Sequence, residues 1–323
     1  MGPMVWMTRP VLAGTLAMLL LIVPLLFPLL VPLQLFAPLP VLLTTLWGGE
    51  RAGWIGVSIP VVAAVLLGGG IRFPLTSFLL FFGFPLLAAW LLRGGWRITH
   101  CLAAAFLMGM AALTLLFVWL ALAGIDAEAE IALRLAVFKT SLMAAIAKKG
   151  GDAVFLAEVG ASIDLLVRFL ALLLPGVVVS GWYLLQAGNL LTARQLIARW
   201  APEGGPFPAE DLAEWRLPDL LVWPIIATGV CAYATQGFLR VLGANLFLLL
   251  SVPCFFQGMA VVQSGFRHFA VGRFGRAVFY TALFFWAHLV PIVTALGLFD
   301  IWIDFRKRFF SLSKHGDGSP GSQ

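Results

Sequence analysis

Apolar residues run along this chain in long unbroken stretches, parted by short clusters of charge, glycine or proline. The first stretch, 11–31, has Pro24, Pro28 and Pro32 to bend it in or just past its second half. The next, in APLPVLLTTLWGG, covers only 38–47 and reads as a re-entrant or half-crossing segment. ERAGW turns the chain into 54–67, GGGIRFP turns it again, and 74–92 follows. After the basic, Trp-bearing RGGWRITH comes 101–123. In the second half, 161–191 carries LLPG at 173–176, where Pro175 predicts a kink. It continues into a polar helix, TARQLIARW. The longest polar connection, 201–219, reads as turn from its Pro and Gly content. Three more stretches follow, at 220–236, 242–262 and 277–298.

A hydrocarbon core of about 30 Å takes about 20 apolar residues per helical crossing. Backbone groups in lipid must pair with one another, which leaves helices or a closed barrel. Barrel strands alternate apolar and polar residues, whereas these stretches are continuously apolar. The expected fold is therefore all-α, a polytopic α-helical integral membrane protein of about eight to nine spans.

One segment departs from the pattern. GIDAEAEIALRLAVFKTSLMAAIAKKGGD (124–152) places Ile131, Leu135, Val137, Phe138, Leu142 and Ile146 near helical spacing. Glu128, Arg134, Lys139 and Lys148 fall largely elsewhere. This is the signature of an amphipathic helix lying on the membrane. It divides the chain into a membrane half at 1–123, an interfacial insert at 124–160, a second membrane half at 161–310 and a disordered tail at 311–323.

Composition agrees with a lipid environment. The chain is 61% hydrophobic and 11% charged, with a mean hydropathy of +1.00, whereas a soluble domain is roughly 25% charged. The net charge of +6 sits in loops between apolar stretches, where cations set topology and meet anionic headgroups, so nucleic acid is not an expected partner. Basic segments 93–100, 267–276 and 306–314 all favour the cytoplasmic side. The last two are separated by one span, so they cannot both comply. If 38–47 crosses, the N-terminus faces in and the tail faces out; if it is re-entrant, both termini share a side. Arg9 ahead of the first stretch resembles a signal peptide, but that stretch outruns the about 7–15 residues of a signal core. An uncleaved first span in a bacterial inner membrane is expected.

Little catalytic chemistry is legible. Cys101, Cys231 and Cys254 are odd in number and far apart, as small buried hydrophobes are. The histidines lack metal-ligand spacing. Walker A, GxSxG, HExxH and CxxC patterns are missing. Neither an enzyme, a cofactor nor a metal is expected.

The candidate polar sites lie near or within the spans. Asn189, Asn245, Gln257, Gln263 and His288, with Gln186 and Gln236, fit either interhelical hydrogen bonding or a cavity for a small polar molecule. Asp164 and Arg168 are four apart and read as an intramembrane ion pair, either a clamp or a cavity wall. In GLFDIWIDFRKRFF (297–310), Gly297 reads as a helix stop and Asp300 as the cap of a new short helix. On that helix Asp304 would reach Lys307 and Arg308. The segment is either an interfacial anchor or a partner-docking element built on Asp300, Asp304 and Arg306. Ala13 and Ala17 in AGTLA form a small-xxx-small face that admits another helix.

LLPG at 173–176, Asn189 in GNLL, WRLP at 215–218, FQGMAVV at 256–262 and GLFDIWIDFR at 297–306 occur in an order that resembles the YybS-like family of bacterial membrane proteins. The first half is similar to the S subunits of energy-coupling-factor vitamin transporters, with a small-xxx-small first helix and the short PLPVLLTTLWGGERAG segment turning at Gly-Gly. That resemblance implies a coupling subunit docked at Ala13 and Ala17. The related fold also occurs in a cell-shape protein of the MreD kind, which binds protein partners. Two functions stay open: a substrate-binding or transport component for a small polar molecule, and a non-transporting scaffold that docks membrane-protein partners.

Overall fold

The computed structural model describes residues 9–66, 78–148, 153–200, 207, 216–286 and 288–306. Among these residues every regular element is helical. The α-helices are α1 Pro10–Leu26, α2 Pro38–Leu66, α3 Gly83–Arg93, α4 Ile98–Leu122, α5 Ala127–Ala147, α6 Ala153–Trp200, α7 Val222–Ala234, α8 Gly237–His268, α9 Arg273–Phe285 and α10 Leu289–Ile303. A 3-10 segment, Pro28–Phe36, joins α1 to α2.

Four helical stretches among the described residues are long and apolar enough to cross a membrane: Pro28–Leu66, Ile98–Leu122, Phe155–Trp200 and Gly237–His268. The expected count of eight to nine full-length spans is not met. Proline and glycine shorten the rest. The stretch 277–298, expected as one span, is divided around Trp286 into α9 and α10, with Trp286 extended at φ −108° and ψ 90°. Pro291 in the first turn of α10 accounts for the break, because a helix running through it would bring its ring against the carbonyl of residue 287. The tail, Lys307 and Arg308 lie outside the described residues.

The helices fall into two compact units that interleave along the chain. One comprises Met1–Gly109 and Gly181–Glu210, the other Met110–Ser180 and Asp211–Gln323.

In the first unit α1 packs on α2 around Ala17, Val41, Val57 and Phe82. A Cβ on Gly14 would stand 2.5 Å from the Gly56 carbonyl oxygen, so this crossing brings backbone against backbone. Ala13 and Ala17 are both wholly buried here. The small-residue face therefore serves packing within the chain and is not free to dock a coupling subunit. The turn expected at Gly-Gly is a break inside α2, with Gly49 at φ 83° and ψ −178°. Arg93 Nη1 donates to the Thr45 carbonyl at 3.2 Å, placing a cation on the last turn before the break.

In the second unit α8 packs against both α7 and α10. A Cβ on Gly258 would fall on the Val293 carbonyl, and one on Gly297 would fall on the Cys254 carbonyl. Gly297 is thus a packing position and not the expected helix stop; α10 runs on to Ile303. Residues 127–147 of the insert form α5, and α6 begins at Ala153. Asp126 caps α5 by accepting from the Glu128 and Ala129 N–H groups at 3.0 and 3.1 Å, and Glu128 and Glu130 suit the positive end of its dipole. Its inner stripe differs from the expected one. Ile131, Leu135, Lys139, Leu142 and Ile146 are half-buried, whereas Val137 and Phe138 face outward. Lys139 sits inside because it pairs with Asp164 on α6.

Candidate functional site

The strongest concentration of polar chemistry lies in the second unit, at the end of α10. Asp300 occupies the last turn and is 3% exposed. Its Oδ2 accepts from Arg306 Nη2 at 2.7 Å, from Arg306 Nε at 3.1 Å and from Gln257 Nε2 at 3.1 Å. Its Oδ1 accepts from the Phe305 N–H at 3.0 Å. The chain folds back to allow this because Asp304 adopts a left-handed conformation, φ 51° and ψ 59°, which Asp tolerates better than most residues. Asp304 is therefore a helix terminator, and Asp300 is an acceptor inside α10 and not the cap of a new helix.

Two further stretches reach the same point. Gln257, on α8, accepts the Leu217 N–H at 2.8 Å through Oε1. Arg216 donates to both oxygens of Asp304, at 2.8 and 2.6 Å, a fork-to-fork pair. That hydrogen bond holds the Arg216 guanidinium above its ordinary pKa, so it stays charged. Residues 216–217, Gln257 and residues 300–306 thus meet in space although they are far apart in sequence.

Burial sets what this node can do. The Arg306 and Asp300 side chains are 6% and 1% exposed, so their pairing must offset the desolvation of both ions. Three N–H donors converge on Asp300 Oδ2 and one on Oδ1, so the carboxylate is held by the chain's own groups. The node is an anchor that fastens residues 216–217 and 304–306 to α8 and α10. Asp300 and Arg306 are buried and Asp304 is spent on Arg216, so none of the three is the free docking group expected from the sequence.

Asn245, Asn189 and Gln34 also bind backbone, while Gln186 is a further buried amide of α6. Asn245 Nδ2 donates to the Leu172 and Val241 carbonyls, both at 2.7 Å, and its Oδ1 accepts the Gly176 N–H at 2.5 Å. Leu172 and Gly176 are an i, i+4 pair in α6 on either side of Pro175, so the Asn245 amide engages the backbone of α6 beside its proline. Gly176 is required there: a Cβ would stand 2.8 Å from Asn245 Oδ1 and 2.9 Å from the Asn245 carbonyl oxygen. In the first unit, Asn189 Nδ2 donates to the Leu35 carbonyl at 2.7 Å, at the end of the segment carrying Pro28 and Pro32, and to Leu185 at 2.8 Å. Gln34 Nε2 donates to the Leu21 carbonyl at 3.0 Å, beside Pro24. Gln257 holds the N–H just ahead of Pro218. Each of these four amides attends backbone next to a proline, where apolar surroundings offer no water as a substitute.

The remaining candidates stand apart. Gln263 and His288 are exposed and join no buried amide. Asp164 takes Lys139 as its partner and not Arg168, because α5 lies against this stretch of α6. A hollow of about 330 Å3 on the second unit is lined by Phe117, Leu120, Gly124, Asp126, Phe238 and Val241. Asn245 and Gln257 do not border it. Sequence reasoning missed Arg216, Lys139 and Gln34. The first had a signal, a cation beside a proline at the end of a polar connection; the third is an amide in an apolar, proline-rich run.

The chain matches the family described as predicted membrane protein (DUF2232) over residues 15–301. No curated protein and no solved structure matches it. The matched region takes in Asn189, Asn245, Gln257 and Asp300 and ends beside the node. Since it covers well over half of the chain, this helical protein belongs to the DUF2232 family of predicted membrane proteins.

Proposed function

We propose that the chain is a multi-pass bacterial inner-membrane scaffold that docks a protein partner and is neither a carrier nor an enzyme. One observation carries the reading: the second-unit amides that a cavity for a polar molecule would need are spent on the chain's own backbone. Asn245 uses both N–H groups and its oxygen in this way, and Gln257 is held by Leu217 and Asp300. The four long apolar helices and four shorter ones, Pro10–Pro24, Gly83–Arg93, Asp219–Ala234 and Leu289–Ile303, support a multi-pass arrangement.

The docking surface of this reading is the outer side of α5. Leu133, Val137 and Phe138 are 66%, 67% and 60% exposed there, while Lys139 ties the helix to α6. A photo-crosslinker placed at 137 in living cells should yield one discrete protein adduct, and Phe138→Asp should abolish it. Adducts with lipid alone would overturn the scaffold reading.

A second reading, a substrate-binding component for a small polar molecule, is favoured by Asn189. Its Oδ1 is buried without a hydrogen-bond partner. Under that reading Asn189→Leu releases a metabolite that co-purifies with the protein in mild detergent. Under the scaffold reading no such metabolite is present in either form.

A further inference from the structure

The chain carries no acidic residue between Asp219 and Asp300. Within that span the basic side chains gather at one corner: apart from Arg240 and His288, they are Arg267, His268, Arg273 and Arg276, where α8 turns into α9. The corner is built firmly. Ala270 is left-handed at φ 48°, and Arg276 Nε donates to the Val271 carbonyl at 2.9 Å. Phe266 of α8 meets Phe279 and Tyr280 of α9 edge-on, with ring centroids 5.4 and 6.3 Å apart, which fixes α9 against α8.

From this corner an apolar groove of about 460 Å3 runs along α9, lined by Phe274, Ala277, Val278, Thr281, Phe285 and Trp286. Phe274 and Trp286 at its two ends are 83% and 65% exposed. The twelve steps between them rise about 18 Å, close to the depth of one leaflet, half of an about 30 Å hydrocarbon core. The groove therefore has a cationic end and an apolar length of one leaflet.

We infer that this face binds an anionic phospholipid, with its phosphate at Arg273 and Arg276 and one acyl chain laid along the α9 groove. Arginine suits the site because its planar fork meets phosphate oxygens bidentately. Neither α8 nor α9 carries an acidic residue to oppose the lipid's negative charge. The inference is independent of the docking role of α5.

The test is native mass spectrometry of the delipidated full-length protein with phosphatidylglycerol or phosphatidylcholine of identical acyl chains. Phosphatidylglycerol should be retained about tenfold more tightly, as arginines near a phosphate plane allow. Arg273→Gln with Arg276→Gln should bring the ratio close to parity, and the corresponding lysine pair should keep most of it. Val278→Trp, with both arginines intact, should weaken phosphatidylglycerol retention by filling the groove. Equal retention of the two lipids by the unaltered protein would overturn the proposal. So would undiminished retention in the Val278→Trp form, or a protein partner found seated on this face in place of lipid. The last two measurements decide the matter even if the glutamine pair fails to fold.

Discussion

Asn245→Ala is the sharpest test of the reading that these amides hold backbone beside prolines. The substitution removes three hydrogen bonds, to Leu172, Val241 and Gly176. Hydrogen bonds between membrane helices average about 0.6 kcal/mol each, which gives about 1 kcal/mol for the two to α6, the Val241 bond lying within α8. Stranding the Gly176 N–H would add about 1–3 kcal/mol. That addition is partly avoidable, because Leu172 and Gly176 are spaced to bond each other if α6 straightens. The expected loss is therefore about 2–4 kcal/mol. Asn245→Asp should cost more, since it deletes both donors and places a charge among apolar helices. The assay is reversible denaturant unfolding in mixed micelles, with size-exclusion profiles to show that each variant starts folded. A change below about 0.5 kcal/mol for Asn245→Ala, the level of an ordinary surface substitution, would refute the reasoning and return Asn245 to the list of ligand-binding candidates.

Three more predictions use the same assay. Asp300→Asn leaves Arg306 buried without a counter-ion and should cost about 3–5 kcal/mol, while Asp300→Leu combined with Arg306→Met should recover most of that loss. Arg216→Ala should cost no more than about 1 kcal/mol, because Arg216 is 47% exposed and its pair with Asp304 is screened; its main effect should be faster proteolysis near residue 216. Gly258→Ala sets a Cβ on the Val293 carbonyl and should cost at least about 1–3 kcal/mol by forcing α8 and α10 apart.

The helical membrane class was legible because lipid leaves the backbone so few choices. Individual spans were less so. Periodicity and length cannot show that 277–298 breaks near Trp286, since its residues are as apolar as those of a continuous helix. The polar residues Asn189, Asn245 and Gln257 stood out by rarity, and they are indeed buried. Their targets did not stand out, because those targets are backbone atoms, which every residue carries. Asp300 was read as the cap of a short helix and Asp304 through local spacing to Lys307 and Arg308. Gln257, which meets Asp300, and Arg216, which meets Asp304, are 43 and 88 residues away, and no local rule reaches that far. Ala13 and Ala17 were correctly read as a close-packing face, but sequence does not say whether the helix that fills it belongs to the same chain.

The most direct measurement of the central claim is backbone hydrogen–deuterium exchange on the full-length protein, comparing the unaltered form with Asn245→Ala and Gln257→Ala. If these amides exist to hold interrupted backbone, Asn245→Ala should accelerate exchange at Gly176 and its neighbours, and Gln257→Ala should accelerate it at Leu217, each without disturbing the other. Unchanged protection at both places, together with loss of a co-purified small molecule, would contradict the account and make the amides a binding site.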